Sequence, residues 1–333
     1  MKKASLLFAL LCVSTLIFAQ TETQTATLKH GDNITAYYGN RALIEAEAAA
    51  EEGDIITLSS GTFQPTEITK AIILRGAGCE TDSETLTPLT DISGKTIFNV
   101  ETESHSMTIE GIYFNEIQVK KLYSPIVIRC NIRYITSDYG ERLVDAHFIN
   151  CRFQTFRTYG SKNTLFDNCI IWDIYYNGDF GAAETVTAYN SYLKLSCSFN
   201  RMILHNCIIV SENQTMNIGN NGFSAAYNCV NICSEGSVFA CPAFDCWENK
   251  TFTDLFATFQ GDNSDWTHER LLLTEAAAAQ YLGEDGTEVG IHGGTLPYAS
   301  RPTYMVPNKT TADHQTTPDG KLNVHIDVIF ENK

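Results

Sequence analysis

The chain has 333 residues, of which 39 are acidic and 23 are basic, so its net charge is −16 at pH 7. This acidic balance disfavours binding to nucleic acid and to anionic membranes, and it repels polyanionic ligands unless a cation or a basic patch intervenes. At this length the chain can bury a large core, either as one elongated solenoid or as two globules.

Residues 1–19 have the pattern of a cleaved signal peptide. Lys2 and Lys3 precede an apolar run, and the segment ends at the small residue Ala19. Cleavage removes two positive charges, leaving 39 acidic against 21 basic side chains, or −18. No later stretch is long and apolar enough to span a bilayer. We therefore expect a secreted protein, in the periplasm or on the outer surface of a Gram-negative bacterium.

Residues 20–53 are predicted to form an N-terminal segment that ends in a capping helix. Ala42, Leu43 and Ala46 recur at helical spacing, and Gly53 follows as a stop signal. Short strands punctuated by glycine come next, beginning at Asp54. This helix is expected to cover the open end of the strands that follow it.

A pattern of an apolar run, Asn, and then Cys or Ser recurs six times between residues 126 and 233, at intervals of 16 to 22 residues. This spacing indicates a structural repeat. The residues two places further on are apolar in all copies but the last, which has Asn231, so both positions are expected to point into one core. The Cys or Ser positions are Cys130, Cys151, Cys169, Ser191, Cys207 and Cys229.

The Asn before each of these positions predicts a sharp turn, because Asn tolerates the left-handed backbone conformation. Arg129 replaces it in the first copy. Stacked copies are expected to form a ladder of side-chain amides. Cysteines stacked about 4.8 Å apart with parallel side chains suit free thiols better than disulfides. The pairing of Cys233, Cys241 and Cys246, which fall outside this register, stays open.

The period near twenty, the Asn turn and the capping helix resemble a right-handed parallel β-helix of the pectate-lyase-like class, over residues 41–294. The resemblance implies an all-β fold: a single solenoid over 54–250, an N-terminal helical cap and a β-rich closing segment over 251–333. Residues 269–294 resemble the closing motif of secreted bacterial β-helix proteins, with a short helix that Thr274 should cap. The class includes lyases, hydrolases, esterases, tailspikes and non-enzymatic surface proteins, so it does not fix an activity.

The residues one and three places beyond each Cys or Ser should face outward. In the upper coils these positions are basic and aromatic, which suits a carbohydrate surface, although an ordinary solvated sheet face has the same composition. In the lower coils they are apolar, and we expect the C-terminal tail to cover Ile208, Val210, Val230 and Ile232. The candidate glycan face consists of Arg133, Arg152, Trp172, Tyr192 and Lys194.

The preferred hypothesis is a non-catalytic protein that binds a polysaccharide or cell-surface glycan, or has an adhesive role. The alternative is a polysaccharide lyase that uses Arg152 or Lys194 as the base. Ca²⁺ is then the implied cofactor, with Asp167, Asp173 and Asp179 as possible ligands. A purely structural spacer is a third possibility. The motifs of polygalacturonase-like hydrolases and of pectin methylesterases are missing, and the histidines lack zinc-site spacing. The preferred hypothesis therefore includes no metal site, and the catalytic residues stay unassigned.

Overall fold

The chain folds as an all-β parallel solenoid of about eight turns. The computed structural model describes residues 24–81, 87–102, 106–138, 140–158, 161–175, 185–196, 199, 201–211, 218–219, 223–233, 238–261 and 267–300, and the backbone of 305–312 and 324–330. The predicted signal peptide, residues 1–19, and Asp179 lie outside this part. Within it, no helix is long and apolar enough to cross a membrane.

Each coil contributes strands to two long sheets. The first, sheet A, is parallel from β3 onward, whereas β1 pairs antiparallel with both β2 and β3. Its strands, in spatial order, are β2 (Asn33–Tyr38), β1 (Thr25–His30), β3 (Ile55–Leu58), β6 (Ile73–Arg75), β8 (Thr108–Glu110), β10 (Ile126–Ile128), β13 (His147–Ile149), β16 (Thr164–Asp167), β18 (Val186–Tyr189), β20 (Met202–His205), β22 (Ala225–Tyr227) and β24 (Ala243–Phe244).

Sheet B carries the outward face on which the sequence places the candidate glycan residues. Its strands pair in parallel, and β9 is long enough to pair with β7, β11 and β12. They are β4 (Gly61–Phe63), β5 (Glu67–Ile68), β7 (Thr90–Asn99), β9 (Tyr113–Tyr123), β11 (Asn131–Thr136), β12 (Arg142–Val144), β14 (Arg152–Arg157), β15 (Ser161–Lys162), β17 (Ile170–Tyr175), β19 (Tyr192–Leu195), β21 (Ile208–Ser211), β23 (Val230–Cys233) and β25 (Trp247–Lys250).

The turn from sheet A to sheet B lies at the repeated Asn, as the sequence predicts. Asn150, Asn168, Asn190, Asn206 and Asn228 all have positive φ, between 45° and 55°, and Arg129 adopts the same conformation at 49°. Asn is among the few residues that enter this region at low cost. The periodic asparagines therefore mark where each coil bends.

The residue after each turn points into the core and closes the bend with a hydrogen bond. The thiol of Cys207 donates to the carbonyl of His205 over 3.2 Å, and the Ser191 hydroxyl donates to that of Tyr189 over 2.7 Å. Cysteine and serine both supply a short side chain with a donor, which explains their exchange in this column. The described ladder cysteines are free thiols, as expected, and Cys241 and Cys246 form no disulfide either.

Among the described residues, three short α-helices and one 3₁₀ helix flank the coils. Helix α1 (Ala42–Ala49) buries Ala42, Leu43 and Ala46 and contacts β1, β2 and β3. After the last coil come α2 (Phe252–Leu255), a 3₁₀ helix (His268–Leu271) and α3 (Glu275–Gln280). The predicted cap at Thr274 is confirmed, because its Oγ1 accepts a hydrogen bond from the backbone of Ala277 over 3.1 Å.

The end of the chain forms an antiparallel hairpin of β26 (Met305–Ala312) and β27 (Val324–Phe330). Residues 251–261 and 267–300, to which the name closing segment is restricted from here on, lie against the outer face of sheet B. In the described residues their β structure consists of two isolated bridges, Phe256 to Leu273 and Leu282 to Glu288.

Candidate functional site

The closing segment covers the lower half of the outer face of sheet B. Ile208, Val210, Val230 and Ile232 are each at most 5% exposed and share a hydrophobic cluster with Leu255, Phe256, Phe259, Leu271 and Tyr281. The prediction that this stripe is covered is confirmed. The described residues that cover it belong to the closing segment, and a contribution from the C-terminal tail stays a prediction.

The cover extends over two residues of the candidate glycan face. Trp172 is 8% exposed and Tyr192 is 1% exposed. Their rings stack with centroids 6.4 Å apart, and the ring of Phe259 packs edge-on against both. The prediction that these two rings offer open faces to solvent is therefore wrong. Strand alternation shows which residues point out of the coil, but a second layer can still bury them.

The other three residues of the candidate face, Lys194, Arg133 and Arg152, lie in different surroundings. Lys194 places its ammonium group 4.9 Å from the centroid of the Trp172 ring, at the edge of the covered region. Arg133 is exposed and donates from Nε to Gln154 over 3.1 Å. Arg152 lies between these two surroundings, with a side chain only 19% exposed, and lines a cleft. The structure does not join the five residues into one surface.

The asparagine turns hold the closing segment in place. The Asn168 amide donates to the carbonyls of Ile291 and Gly293, over 2.9 and 2.8 Å. Asn206 accepts from the backbone of Glu284 over 3.1 Å, and Asn228 donates to Leu282 over 3.3 Å. The stacked ladder of amides expected from the sequence stays a prediction, whereas these three amides bind the backbone of residues 282–293. The repeated asparagines therefore bind the backbone of the closing segment directly.

Above the covered region, the outer face of sheet B opens into a cleft. The floor of the cleft is one column of outward side chains that lie opposite one another in the strand register: Thr62, Asp91, Tyr113, Asn131 and Arg152. Residues 79–81 and 88–89 form one wall, and Thr267 and Glu269 of the closing segment form another. The cleft is open to solvent and has a volume of about 550 Å³, within the range of about 300–1,000 Å³ typical of small-molecule sites.

The charged groups of the cleft are partly paired. Arg152 binds the Glu80 carboxylate with an N to O distance of 3.0 Å. Burial raises the pKa of Glu269, but hydrogen bonds from its own backbone and from Thr267, with the charges of His268 and Arg152, bring it below its ordinary value. This carboxylate is therefore ionised at neutral pH and accepts hydrogen bonds only.

Asp91 has the opposite character. Burial raises its pKa above the ordinary value, although a hydrogen bond from Thr62 partly offsets this effect. Its Oδ1 is buried and has no hydrogen-bond partner in the described part of the chain, while Oδ2 accepts from Thr62 over 3.3 Å. The pKa values of two carboxyl groups in one cleft, Asp91 and Glu269, are thus shifted in opposite directions. This combination is typical of sites that bind or transfer protons.

The calcium ligands proposed from the sequence do not converge. Asp167 is at the end of β16 in sheet A, where it pairs with His147 over 2.8 Å, whereas Asp173 lies on β17 in sheet B. Among the described residues, no group of three or more His, Cys, Asp or Glu side chains is arranged to hold a metal ion. The described carboxylates therefore give no support to the calcium set.

Comparisons with known proteins give no relative to guide the assignment: no family model, no curated protein and no solved structure matches the chain. The solenoid assignment consequently rests on strand order and register. The site must be interpreted from its own chemistry.

Sequence reasoning missed most of the cleft residues. Tyr113 could have been predicted from the sequence. One coil before Cys130, Gly111 occupies the turn position with φ of 66°, and Ile112 occupies the inward position that follows it. Extending the repeat by one coil therefore identifies Tyr113 as outward-facing. Asp91 and Glu269 carry no such signal. The connection between β6 and β7 interrupts the period before Asp91, and Glu269 lies beyond the last coil.

Proposed function

We propose that the protein binds a glycan without cleaving it, and that the cleft above the closing segment is the binding site. The observation that carries this proposal is the composition of the cleft floor. It places an aromatic ring, an amide, a hydroxyl and a guanidinium group in one strand register, at Tyr113, Asn131, Thr62 and Arg152. Sugar rings offer both apolar faces and many hydroxyl groups, so they need this mixture of partners.

The charges of the cleft favour a neutral glycan over a polyuronate. Arg152 is the cation of its described lining, and it already pairs with Glu80 over 3.0 Å. Asp91 and Glu269 add acceptors, which suit sugar hydroxyls and repel carboxylates. The whole chain also carries a net charge of −16. These charges give the lyase alternative, which requires a cation to neutralise a uronate carboxylate, less support than binding.

The proposal keeps the expected location outside the cytoplasm. Its support is the sequence of residues 1–19, with Lys2, Lys3 and the apolar run that follows. The resemblance to pectate-lyase-like β-helix proteins supports a role on glycans in the same way, through the repeat and the closing motif. An adhesive role is compatible with the same cleft.

A glycan array of neutral and acidic oligosaccharides, followed by calorimetric titration of the best binder, tests this function. Tyr113→Ala should weaken binding by about tenfold or more, because it removes the one aromatic ring of the described floor. Glu269→Gln should also weaken binding, since the amide accepts fewer hydrogen bonds than the carboxylate.

Lys95→Gln is the matched control, because Lys95 is a charged residue of the same sheet that pairs with Glu116 over 2.7 Å outside the cleft. It should leave the affinity unchanged. Binding that survives both cleft substitutions, or that is confined to polyuronates, would contradict the proposed site.

A second candidate function is glycan hydrolysis in the same cleft. The observation in its favour is the opposed pKa shift of Asp91, which is raised, and Glu269, which is lowered. An acid with a raised pKa and an ionised carboxylate are the two groups that glycoside hydrolysis uses. Release of new reducing ends from the array ligand, lost in Asp91→Asn, would favour hydrolysis, while an unsaturated product would favour the lyase.

A further inference from the structure

The outermost strand of sheet A, β2, has a free edge on the side away from β1. Among the described strands, β2 pairs only with β1. Its sequence, NITAYY, contains no charged residue and no proline, which are usual protections of an edge strand against pairing with another chain. Ile34 and Tyr38 are 68% and 67% exposed, so this edge strand also exposes large apolar side chains.

The hydrogen bonds between β1 and β2 show which residues of β2 point to the free edge. The backbone N–H of Gly39 donates to the carbonyl of Gln24 over 2.7 Å, and these two residues lie one step beyond the pair of Thr25 and Tyr38. Hydrogen-bonded and non-hydrogen-bonded pairs alternate along an antiparallel ladder. Every second residue of β2 counted from Gly39 therefore binds β1, and the others point their N–H and C=O groups away from it.

The residues whose backbone groups bind β1 are thus Asn33, Thr35 and Tyr37. Those whose backbone groups point to the free edge are Ile34, Ala36 and Tyr38. The side chains follow the same division, because Tyr37 packs against the core whereas Ile34 and Tyr38 are exposed. One set of three residues consequently supplies both the unpaired backbone groups and the exposed apolar side chains.

This set is complementary to itself in a second copy of the chain. When two β2 strands pair antiparallel about a two-fold axis at Ala36, Ile34 of each copy lies opposite Tyr38 of the other. Each of the three resulting pairs exchanges both backbone hydrogen bonds, because all three residues present N–H and C=O groups at the edge. A β-branched residue opposite an aromatic one is also a favourable cross-strand pair.

The charges at the two ends of β2 fit the same arrangement. Asp32 precedes the strand and Arg41 follows it, and both residues are exposed. Antiparallel pairing places the Asp32 end of one copy beside the Arg41 end of the other, so opposite charges meet at both ends of the contact. Two copies with a net charge of −16 each otherwise repel one another, which makes such local complementarity important.

We propose that two copies of this chain form a dimer through antiparallel pairing of their β2 strands, which joins the two A sheets into one. The cleft on the outer face of sheet B does not include β2, so the dimer leaves both clefts accessible. An edge of six residues buries less than the roughly 1,200–2,000 Å² of a standard interface, so the dimer should be weak and reversible.

Light scattering and sedimentation at increasing protein concentration test the proposal. The average mass should rise reversibly towards twice that of the monomer. A double variant, Ile34→Lys with Tyr38→Lys, places like charges opposite each other in two of the three pairs and should weaken the dimer by about tenfold or more. Ala36→Pro removes the N–H at the two-fold axis and should also weaken it, while the monomer tolerates proline there because this N–H does not bind β1.

Leu272→Lys with Leu296→Lys is the matched control. These two residues are 49% and 60% exposed in the closing segment, so the control adds the same two charges to exposed apolar positions away from β2. Because these positions lie outside the proposed contact, the dimerisation constant should stay within about twofold of that of the parent protein.

Amide hydrogen exchange gives a second measurement, which a general loss of stability would not imitate. Exchange at Ile34, Ala36 and Tyr38 should slow as the protein concentration rises, whereas Thr35 and Tyr37 should be protected at every concentration because they bind β1. The proposal is overturned if the protein stays monomeric up to about 1 mM, or if the dimer keeps its affinity in both β2 variants. Exchange at the three edge amides that does not depend on concentration would overturn it as well.

Discussion

Replacing Asn231 by leucine should stabilise the protein. Asn231 occupies the inward column of sheet B opposite Ile209, is 0% exposed, and has no hydrogen-bond partner among the described residues for either side-chain polar atom. Leucine has the same branching and number of heavy atoms, so the substitution removes two buried polar atoms without overpacking the core. In the described column from Ile132 to Asn231, the five residues before Asn231 are all apolar.

The size of the effect follows from two contributions. An unsatisfied buried polar group costs about 1–3 kcal/mol, and burying a leucine side chain contributes about 1.5–3 kcal/mol. Allowing for their overlap, we expect an increase of about 3 kcal/mol in the free energy of unfolding. For a chain of this size that corresponds to a melting temperature higher by roughly 4 °C.

Differential scanning calorimetry of the parent protein, Asn231→Leu and the reciprocal variant Ile209→Asn measures this effect. Ile209 is also 0% exposed, so Ile209→Asn places the same amide one coil earlier and should lower the melting temperature by at least as much. An Asn231→Leu protein that melts at or below the parent temperature would refute the reasoning. That result would mean that the amide is satisfied within the coil.

Three further predictions concern the cleft and the closing segment. Because burial raises the pKa of Asp91 above 3.8, the folded state binds more protons than the unfolded state just above that pH, and the free energy of unfolding falls as pH rises through this window. Asp91→Asn removes this fall. The melting temperature of the variant should therefore exceed that of the parent protein at pH 7 and not at pH 3. Gly294 and Gly286 have similar φ, 78° and 76°, but an added Cβ would lie 2.4 Å from the Asn190 amide at Gly294 and would meet nothing within 4 Å at Gly286. In thermal unfolding, Gly294→Ala should therefore destabilise the protein by about 2 kcal/mol more than Gly286→Ala. Equal losses of stability would contradict the close contact between Gly294 and Asn190. Thr274→Ala removes the helix cap and should cost about 1 kcal/mol, whereas an unchanged melting temperature would show that the cap contributes nothing.

The coil itself could be predicted from the sequence because it is periodic. A turn at every Asn and an inward side chain after it recur with the strand spacing, so residues such as Asn168 and Cys169 reveal their positions by repetition. The closing segment has no such repetition. Asn168 and Ile291 are 123 residues apart, and no pattern in the sequence links a turn amide to that backbone carbonyl.

The same limit explains the errors at the candidate site. Alternation along a strand assigns Trp172 to the outside of the coil, but it carries no information on the second layer formed by Phe259. Arg152 was placed on the outward face, and the structure locates it on the floor of the cleft. Its partner Glu80 belongs to a loop between strands, outside any repeat, so the pairing depends on tertiary contacts.

A crystal structure with the oligosaccharide that binds best on the array is the most direct test of the glycan-binding cleft. The account predicts a sugar on the floor of the 550 Å³ cleft, with its ring against Tyr113 and its hydroxyl groups at Asn131 and Glu269. A sugar bound on sheet A, or anywhere outside the cleft, would contradict it.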